Sequence, residues 1–296
     1  MLTIPKPEIA ARAQRIVGLL AHEFPSRNGL NRKALQSAAE FIEQEFVSCG
    51  VKVRSESYPA RGGPVCNLAV EQHGAEPHLP CIVIGAHYDT VLGTPGADDN
   101  ASGVAGLIEL ARLLASYSNR RTIHFIAFPH EEPPYFYTSQ MGSRVYAEQL
   151  KQKSIRVQLM FSLEMIGYGG DGIGQGYPFP LMRRLGGYPE NGDFIALVGN
   201  IRTRRLLRVV QDAMTRSCSV DVETLAAPGF LPPLFLSDHS SFWKNGFPAL
   251  MVTDTAFLRN PHYHRATDTA DTLNYDFLAE VVVGMYGAVL ALDRLE

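Results

Sequence analysis

The sequence predicts an α/β protein, a three-layer α/β/α sandwich with a mixed, mostly parallel central sheet. Three observations carry this expectation. Short apolar runs of strand length alternate along the chain with stretches whose apolar residues recur at helical spacing. Several of these runs, at residues 81–86, 122–128, 157–163 and 249–252, are apolar without alternation, as strands covered on both faces are. At 296 residues and 46% hydrophobic, the chain can bury one large core, and residues 1–296 are read as a single domain.

Residues 9–24 and 31–49 each place apolar side chains on one helical face, and Gly50 follows the second as a C-cap. Residues 51–58 and 66–72 alternate around a Gly/Pro turn, the pattern of an outer, antiparallel part of the sheet. The buried strand at 81–86 ends in His87 and Asp89. A Gly/Pro loop then leads to Asp98, Asp99 and Asn100, and residues 101–117 turn helical with Asn100 or Ser102 available as the cap. The strand at 122–128 runs directly into Pro-His-Glu-Glu-Pro-Pro, which delivers Glu131 and Glu132 to a loop stiffened by prolines. Residues 138–153 read as a helix, and the strand at 157–163 ends at Glu164. Residues 167–191, rich in Gly, Pro and Tyr and without periodicity, have the character of a long surface loop or lid. A strand at 194–198, a helix at 202–218 and a strand at 220–225 follow. Arg202, Arg204, Arg205 and Arg208 on that helix have the pattern of a solvated face. A short helix starts at Asp238, a buried strand occupies 249–252, and a closing helix runs from about 275 to 295.

Composition narrows the classes. A formal net charge of −3 without a basic stripe argues against nucleic acid as a main partner. No basic n-region followed by an apolar h-region and cleavage site opens the chain, and no run approaches the roughly 20 apolar residues of a membrane helix. A cytoplasmic protein with no membrane partner is therefore expected. Cys49, Cys66, Cys81 and Cys218 form no Cys-x-x-Cys pair and read as structural thiols of a reducing compartment.

In open α/β sheets ligand sites form outside the carboxyl ends of strands. The titratable groups of this chain gather there: His87, Asp99, Glu132, Glu164 and one of His262 or His264. Taken singly, a His-x-Asp is often a hydrogen-bonded strand-end histidine, and adjacent acids are usually just solvated. Together, two imidazoles and three carboxylates are what a pair of zinc ions needs, with one carboxylate to bridge and positions left for water. Glu131 then stays unligated, suited to act as general base and pass its proton to a leaving amine.

The motifs HYD, GADDNASG, HEE, LEMIG and YHRATDT, in that order from about residue 82 onward, resemble the co-catalytic zinc aminopeptidase family. That family contains bacterial leucyl-type aminopeptidases, glutamate carboxypeptidase and the glutaminyl cyclases. The resemblance implies a zinc-exopeptidase-like fold and two zinc ions per chain, replaceable by cobalt or manganese. It implies that His87 and His264 each complete one ion, that Asp99 bridges the pair, and that Glu132 and Glu164 are the remaining ligands. Asp99 is favoured over Asp98 because it stands directly before the Asn-small-Ser-Gly run, and His264 over His262 because a Tyr precedes the family's ligand. Asp89 is expected to hold His87 through its other ring nitrogen. Glu164 departs from many relatives, which carry Asp there, so a longer side chain would hold that ion. Tyr263 is expected to donate its hydroxyl to the tetrahedral oxyanion. Asp238 and His239 are expected to face substrate, as the acid at the matching Asp-His position does in the cyclases, although Asp238 also reads as a helix N-cap. Asp268 and Asp271 read as turn and cap residues, with a supporting role open to Asp268.

The implied reaction is hydrolysis of the N-terminal peptide bond of peptides with a free α-amine. One zinc polarises the scissile carbonyl, a water bridging the ions attacks, and Glu131 relays the proton. A glutaminyl-peptide cyclotransferase with one zinc is the rival, and that group carries Trp where Tyr263 stands. A non-catalytic binding module of this fold would have lost ligands or base, and all are present here. A zinc carboxypeptidase would need basic residues for the substrate carboxylate, for which Arg202, Arg204 and Arg205 are the candidates. The pocket is expected between residues 167–191 and 230–242, with apolar and aromatic walls.

Overall fold

The structure is a computed structural model that describes residues 4–177, 187–228 and 236–296. Two helices open the chain, α1 (Lys6–Glu23) and α2 (Arg32–Ser48). Ile9, Ile16 and Leu20 on α1, and Leu35, Ile42 and Phe46 on α2, recur at helical spacing and are buried. The strands are β1 (Val53–Tyr58), β2 (Val65–Gln72), β3 (Cys81–His87), β4 (Ile123–Phe128), β5 (Val157–Glu164), β6 (Phe194–Asn200), β7 (Asp221–Ala227) and β8 (Ala249–Thr253). Between and after them lie α3 (Gly103–Leu114), α4 (Gly142–Gln152), α5 (Arg204–Ser217), α6 (His239–Lys244) and α7 (Tyr275–Asp293).

All eight strands form one sheet in the order β1-β2-β4-β3-β5-β8-β6-β7. Four pairings are parallel: β3 with β4 and with β5, β5 with β8, and β6 with β7. Three are antiparallel: β1 with β2, β2 with β4, and β6 with β8. The sheet is thus mixed and mostly parallel, with its antiparallel β1–β2 pair at the outer edge where the alternating pattern placed it. Ile82, Ile84, Phe125, Phe161 and Leu197 pack toward α1, α2, α3, α5 and α7 on one face. Val83, Ile126, Met160 and Ala249 pack toward α4 and α6 on the other. Because both faces of the central strands are covered, their sequences read as unbroken apolar runs.

Three boundaries or expectations change. Helix α4 starts at Gly142 and not near residue 138, because the Thr138 N–H and hydroxyl both donate to the Tyr135 carbonyl and Gln140 N–H donates back to the Thr138 hydroxyl. That local turn competes with the helix. Helix α3 begins at Gly103, where a Cβ would stand 2.6 Å from the Leu163 carbonyl oxygen, so only glycine lets the helix start this close to β5. Against the expectation that no segment approaches a membrane span, α7, with 19 residues, is long and apolar enough by composition. In the fold it is a core helix, with Leu278, Val282, Met285 and Val289 buried against α1, α3, α5 and β3. A helix enclosed by neighbours is apolar nearly all round. Of the expected lid at 167–191, residues 178–186 lie outside the described residues, as do 230–235 of the second expected pocket segment.

Candidate metal centre

Strands β3, β4 and β5 run parallel and in register, so their carboxyl ends bring His87, the loop after Phe128 and Glu164 to one place. The His87 Nδ1–H donates to the Asp89 carbonyl at 3.1 Å, which orients the ring so that Nε2 faces the carboxylates of the site. That Nε2 lies 3.3 Å from Glu164 Oε1 and 3.4 Å from Asp99 Oδ1. The other oxygen of Asp99, Oδ2, lies 3.1 Å from His264 Nε2, which is in turn 3.3 Å from Glu132 Oε1. Two donor groups result, His87/Asp99/Glu164 and Asp99/Glu132/His264, and within each the donor atoms lie within 4.8 Å of one another. Asp99 belongs to both.

The electrostatics match that geometry. Burial opposes charge on His87, yet Glu164, Glu131, Asp89 and Asp99 around it push its pKa well above the ordinary value. Burial is likewise overcome at His264, where the Asp99 and Glu132 carboxylates raise the imidazole to about 10. Glu132 is pushed up to about 8 by burial and by Asp99. Such crowding of carboxylates calls for positive charge at the two Nε2 positions, and nitrogen and oxygen donors in threes with an open position suit tetrahedral zinc.

The cage is held by polar groups around it. The Asp89 carboxylate accepts the Glu131 and Glu132 N–H groups, each at 3.0 Å, and stands 3.5 Å from His87 Nδ1. Asp89 therefore faces the His87 Nδ1 with its backbone carbonyl, the nearer at 3.1 Å, and with its carboxylate, and the same side chain also anchors the Glu-Glu loop. Asp98 is turned away from the cage, accepting from Gly167 N–H at 3.0 Å and Asn260 Nδ2 at 2.7 Å. Asp268 is more than a turn residue, since its carboxylate accepts the N–H groups of Asp98 at 2.8 Å and Asp99 at 3.1 Å. Asn100 ties the loop to β5, donating to the Leu163 carbonyl at 2.7 Å while its Oδ1 accepts from the Gly103 and Met165 N–H groups. His262 sits apart, its Nδ1 3.0 Å from the Thr267 hydroxyl, so His264 is the imidazole that enters the site.

Glu164 is fixed at both oxygens. While Oε1 faces His87, Oε2 accepts from Ser237 Oγ at 2.5 Å, and Ser237 Oγ lies 2.8 Å from Ser162 Oγ. Glu131 is buried but outside both donor groups, its Oε2 4.0 Å from His87 Nε2. Burial, opposed by His87 and reinforced by Glu164 and Glu132, pushes its carboxyl well above the usual range. Asp238 is fully buried, does not cap α6 through its side chain, and is raised to about 7 by burial with His87 opposing. His239 is buried and packs edge-on against Trp243 at 4.6 Å, away from the pocket walls. Tyr263 stacks on His264, ring centroids 3.7 Å apart, and lines the pocket beside Glu164. Arg202, Arg204 and Arg205 are exposed on or beside α5.

Residues 67–288 match the family described as Peptidase family M28. The chain belongs to that family. As an M28 peptidase it is a hydrolase, and the family resemblance read from its five motifs holds. It is 42% identical over 290 residues to the uncharacterized protein YfbL of Escherichia coli (strain K12), covering 95% of this chain and 88% of that one. A probable leucine aminopeptidase of Arthroderma benhamiae is 28% identical over 213 residues, 67% of this chain, which spans only 50% of that relative's length. In fold, the M28 chain resembles BSAP, a zinc aminopeptidase from Bacillus subtilis, at a TM-score of 0.73 and 15% identity, covering 95% of this chain and 94% of that one. It resembles the glutaminyl cyclase of Fimbriiglobus ruber at a TM-score of 0.71 and 18% identity, covering 98% and 97%.

Beside the cage of this M28 peptidase opens a cavity of about 130 Å³, bounded at one end by Glu164 and Tyr263. Val198, Leu225 and Met251 form its floor, and Tyr177, Tyr188 and Phe257 stand around it, which matches the apolar, aromatic walls expected. Two supporting residues escaped the sequence reading. Buried Arg27 donates to the carbonyls of Tyr88, Pro95 and Gly96 at 2.7, 2.6 and 2.7 Å and so locks the loop between His87 and Asp99. An arginine in a polar loop carries no pattern that announces this. Ser237 directly precedes the short helix that starts at Asp238, and a serine at a helix start reads as a local capping residue.

Proposed function

We propose that the chain is a zinc-dependent aminopeptidase that binds two zinc ions and cleaves the N-terminal peptide bond of peptides with a free α-amine. The observation that carries this reading is the shared carboxylate, with one Asp99 oxygen in each of two complete donor groups. His87, Asp99 and Glu164 would hold one ion, and Asp99, Glu132 and His264 the other. Bound zinc supplies Lewis acidity toward the scissile carbonyl and lowers the pKa of water.

The chain's own residues supply the rest of the mechanism. Glu131 is the proposed general base: it is buried, close to His87 Nε2, and not engaged in either donor group, so it can take a proton from the attacking water and hand it to the leaving amine. Asp89 keeps it in place by holding the Glu131 and Glu132 N–H groups. Tyr263 is proposed to donate to the carbonyl oxygen as charge develops there. The acids around the cage, Asp238 among them, suit a substrate ammonium. The exposed position of Arg202, Arg204 and Arg205 does not favour a carboxypeptidase.

The test is chelation followed by zinc titration, read on aminoacyl amides and their N-acetyl counterparts. Activity should be lost on chelation, return with two zinc ions per chain, and fail on blocked substrates. Equal turnover of blocked and free substrates would refute the reading. A second reading, a one-zinc glutaminyl-peptide cyclotransferase, is supported by buried Asp238 beside the cage and by the near full-length likeness in fold to a glutaminyl cyclase. Full activity at one zinc per chain, with cyclisation of N-terminal glutamine and no peptide cleavage, would favour it.

A further inference from the structure

The apolar cavity beside the cage has one feature that a pocket for leucine-like side chains does not need. The sheet register sets Glu164 opposite Thr253, Thr253 opposite Ala196, and Ala196 opposite Glu223. Directly paired residues point to the same side of a sheet, so the four side chains form one row on the pocket face. The neighbouring row, Ser162, Met251, Val198 and Leu225, is also continuous by register. The cavity floor is therefore a trough that starts at Glu164, crosses apolar surface, and ends at a second carboxylate. With strands ~4.8 Å apart, Glu223 stands about 14 Å from Glu164 along it.

Glu223 is half-buried at the far end of that trough and lines the cavity. Among the described residues, no hydrogen bond or ion pair engages its carboxylate, and Asp221 on the same strand adds negative charge. Gln175 and most of the Arg259 guanidinium are engaged elsewhere, with only Arg259 Nη2 left without a hydrogen bond among the described residues. Gln175 donates to the Gly176 carbonyl and the Thr255 hydroxyl and accepts from Arg259. Arg259 is turned onto the Phe194 carbonyl at 2.8 Å and lies over the Phe194 ring. A half-buried, uncommitted carboxylate with tyrosines among the cavity walls is suited to a cation.

We infer that Glu223 is a specificity-determining residue that selects a lysine or arginine as the N-terminal residue of the substrate. The inference rests on the aminopeptidase reading for the placement of that residue's backbone at the cage. A leucine side chain ends on the Met251 and Val198 floor, short of Glu223. The methylene stem of lysine or arginine covers that floor, and the charged head reaches the carboxylate.

The experiment compares zinc-loaded wild type and Glu223→Gln on arginyl, lysyl and norleucyl amides. In wild type, kcat/KM for the basic residues should exceed that for norleucine by about tenfold. In Glu223→Gln that ratio should fall close to one, and in Glu223→Arg the ratio of glutamyl to norleucyl amide should rise above its wild-type value. A wild-type ratio near one, or a ratio that survives Glu223→Gln, overturns the inference. Failure to hydrolyse any aminoacyl amide overturns the aminopeptidase reading instead. The inference is then judged by calorimetric binding of L-argininamide against L-norleucinamide, where it stands only if argininamide binds more tightly and Glu223→Gln removes the difference.

Discussion

Glu131→Gln and Glu132→Gln are adjacent, chemically identical changes that should have opposite signatures. The Glu131 side chain belongs to neither donor group, and its backbone N–H is held by Asp89 at 3.0 Å, so the amide replacement leaves the loop and the cage in place. What it removes is the base. Loss of a general base costs about 10²- to 10⁴-fold in kcat, or about 2.7 to 5.4 kcal/mol of barrier, while two zinc ions should remain bound. Glu132 Oε1 lies 3.3 Å from His264 Nε2 inside the second donor group, so its replacement removes a charged ligand from that group alone. Since loss of a group that merely supports a ligand costs about 10- to 100-fold in affinity, loss of the ligand's charge should weaken one zinc by at least about 100-fold. Zinc content by elemental analysis, affinity by chelator competition, and kcat at limiting and excess zinc separate the two. The reasoning is refuted if Glu131→Gln loses its metal, or if it keeps most of its kcat with both ions bound.

Other consequences follow from the groups that support the cage. Ser237→Ala frees Glu164 Oε2 from its 2.5 Å hydrogen bond, so zinc at the His87 group should bind about tenfold more weakly by chelator competition, with Ser237→Thr restoring it. Asp89→Asn cannot accept both loop N–H groups, and kcat and zinc affinity should fall together, unlike in Glu131→Gln; an effect on kcat alone would contradict the anchoring role. Far from the site, burial holds the His124 imidazole down at about 4, its Nδ1 2.6 Å from the Tyr146 hydroxyl. Its folded pKa lies below the unfolded value, so its stability contribution is full above about pH 6.5 and is lost as pH falls toward 4. Linkage gives a loss of about 2 kcal/mol between pH 7 and pH 5. Urea unfolding should show that much less pH dependence in His124→Leu than in wild type, and equal slopes would contradict it.

The sequence by itself determined the fold class, the strands and the residues at their ends, because these are local properties. An unbroken apolar run shows that both faces are covered, and an acid or imidazole after such a run must emerge at a strand terminus. That is why His87, Asp99, Glu132, Glu164 and one of His262 or His264 could be named before any coordinates. Where a choice was open, between Asp98 and Asp99 or His262 and His264, the motifs pointed to the residue that the fold turns into the cage. Tertiary structure alone decided how those residues are held. Arg27 reaches carbonyls some 60 to 70 residues away, Asp268 grips the N–H groups of Asp98 and Asp99, and Ser237 secures Glu164. Hydrogen bonds of that span leave no periodicity, since any polar residue in a loop satisfies the local pattern equally well. The row from Glu164 to Glu223 is of the same kind: it joins four strands whose order in the sheet is not their order in the chain, and only the register brings the two carboxylates to one face.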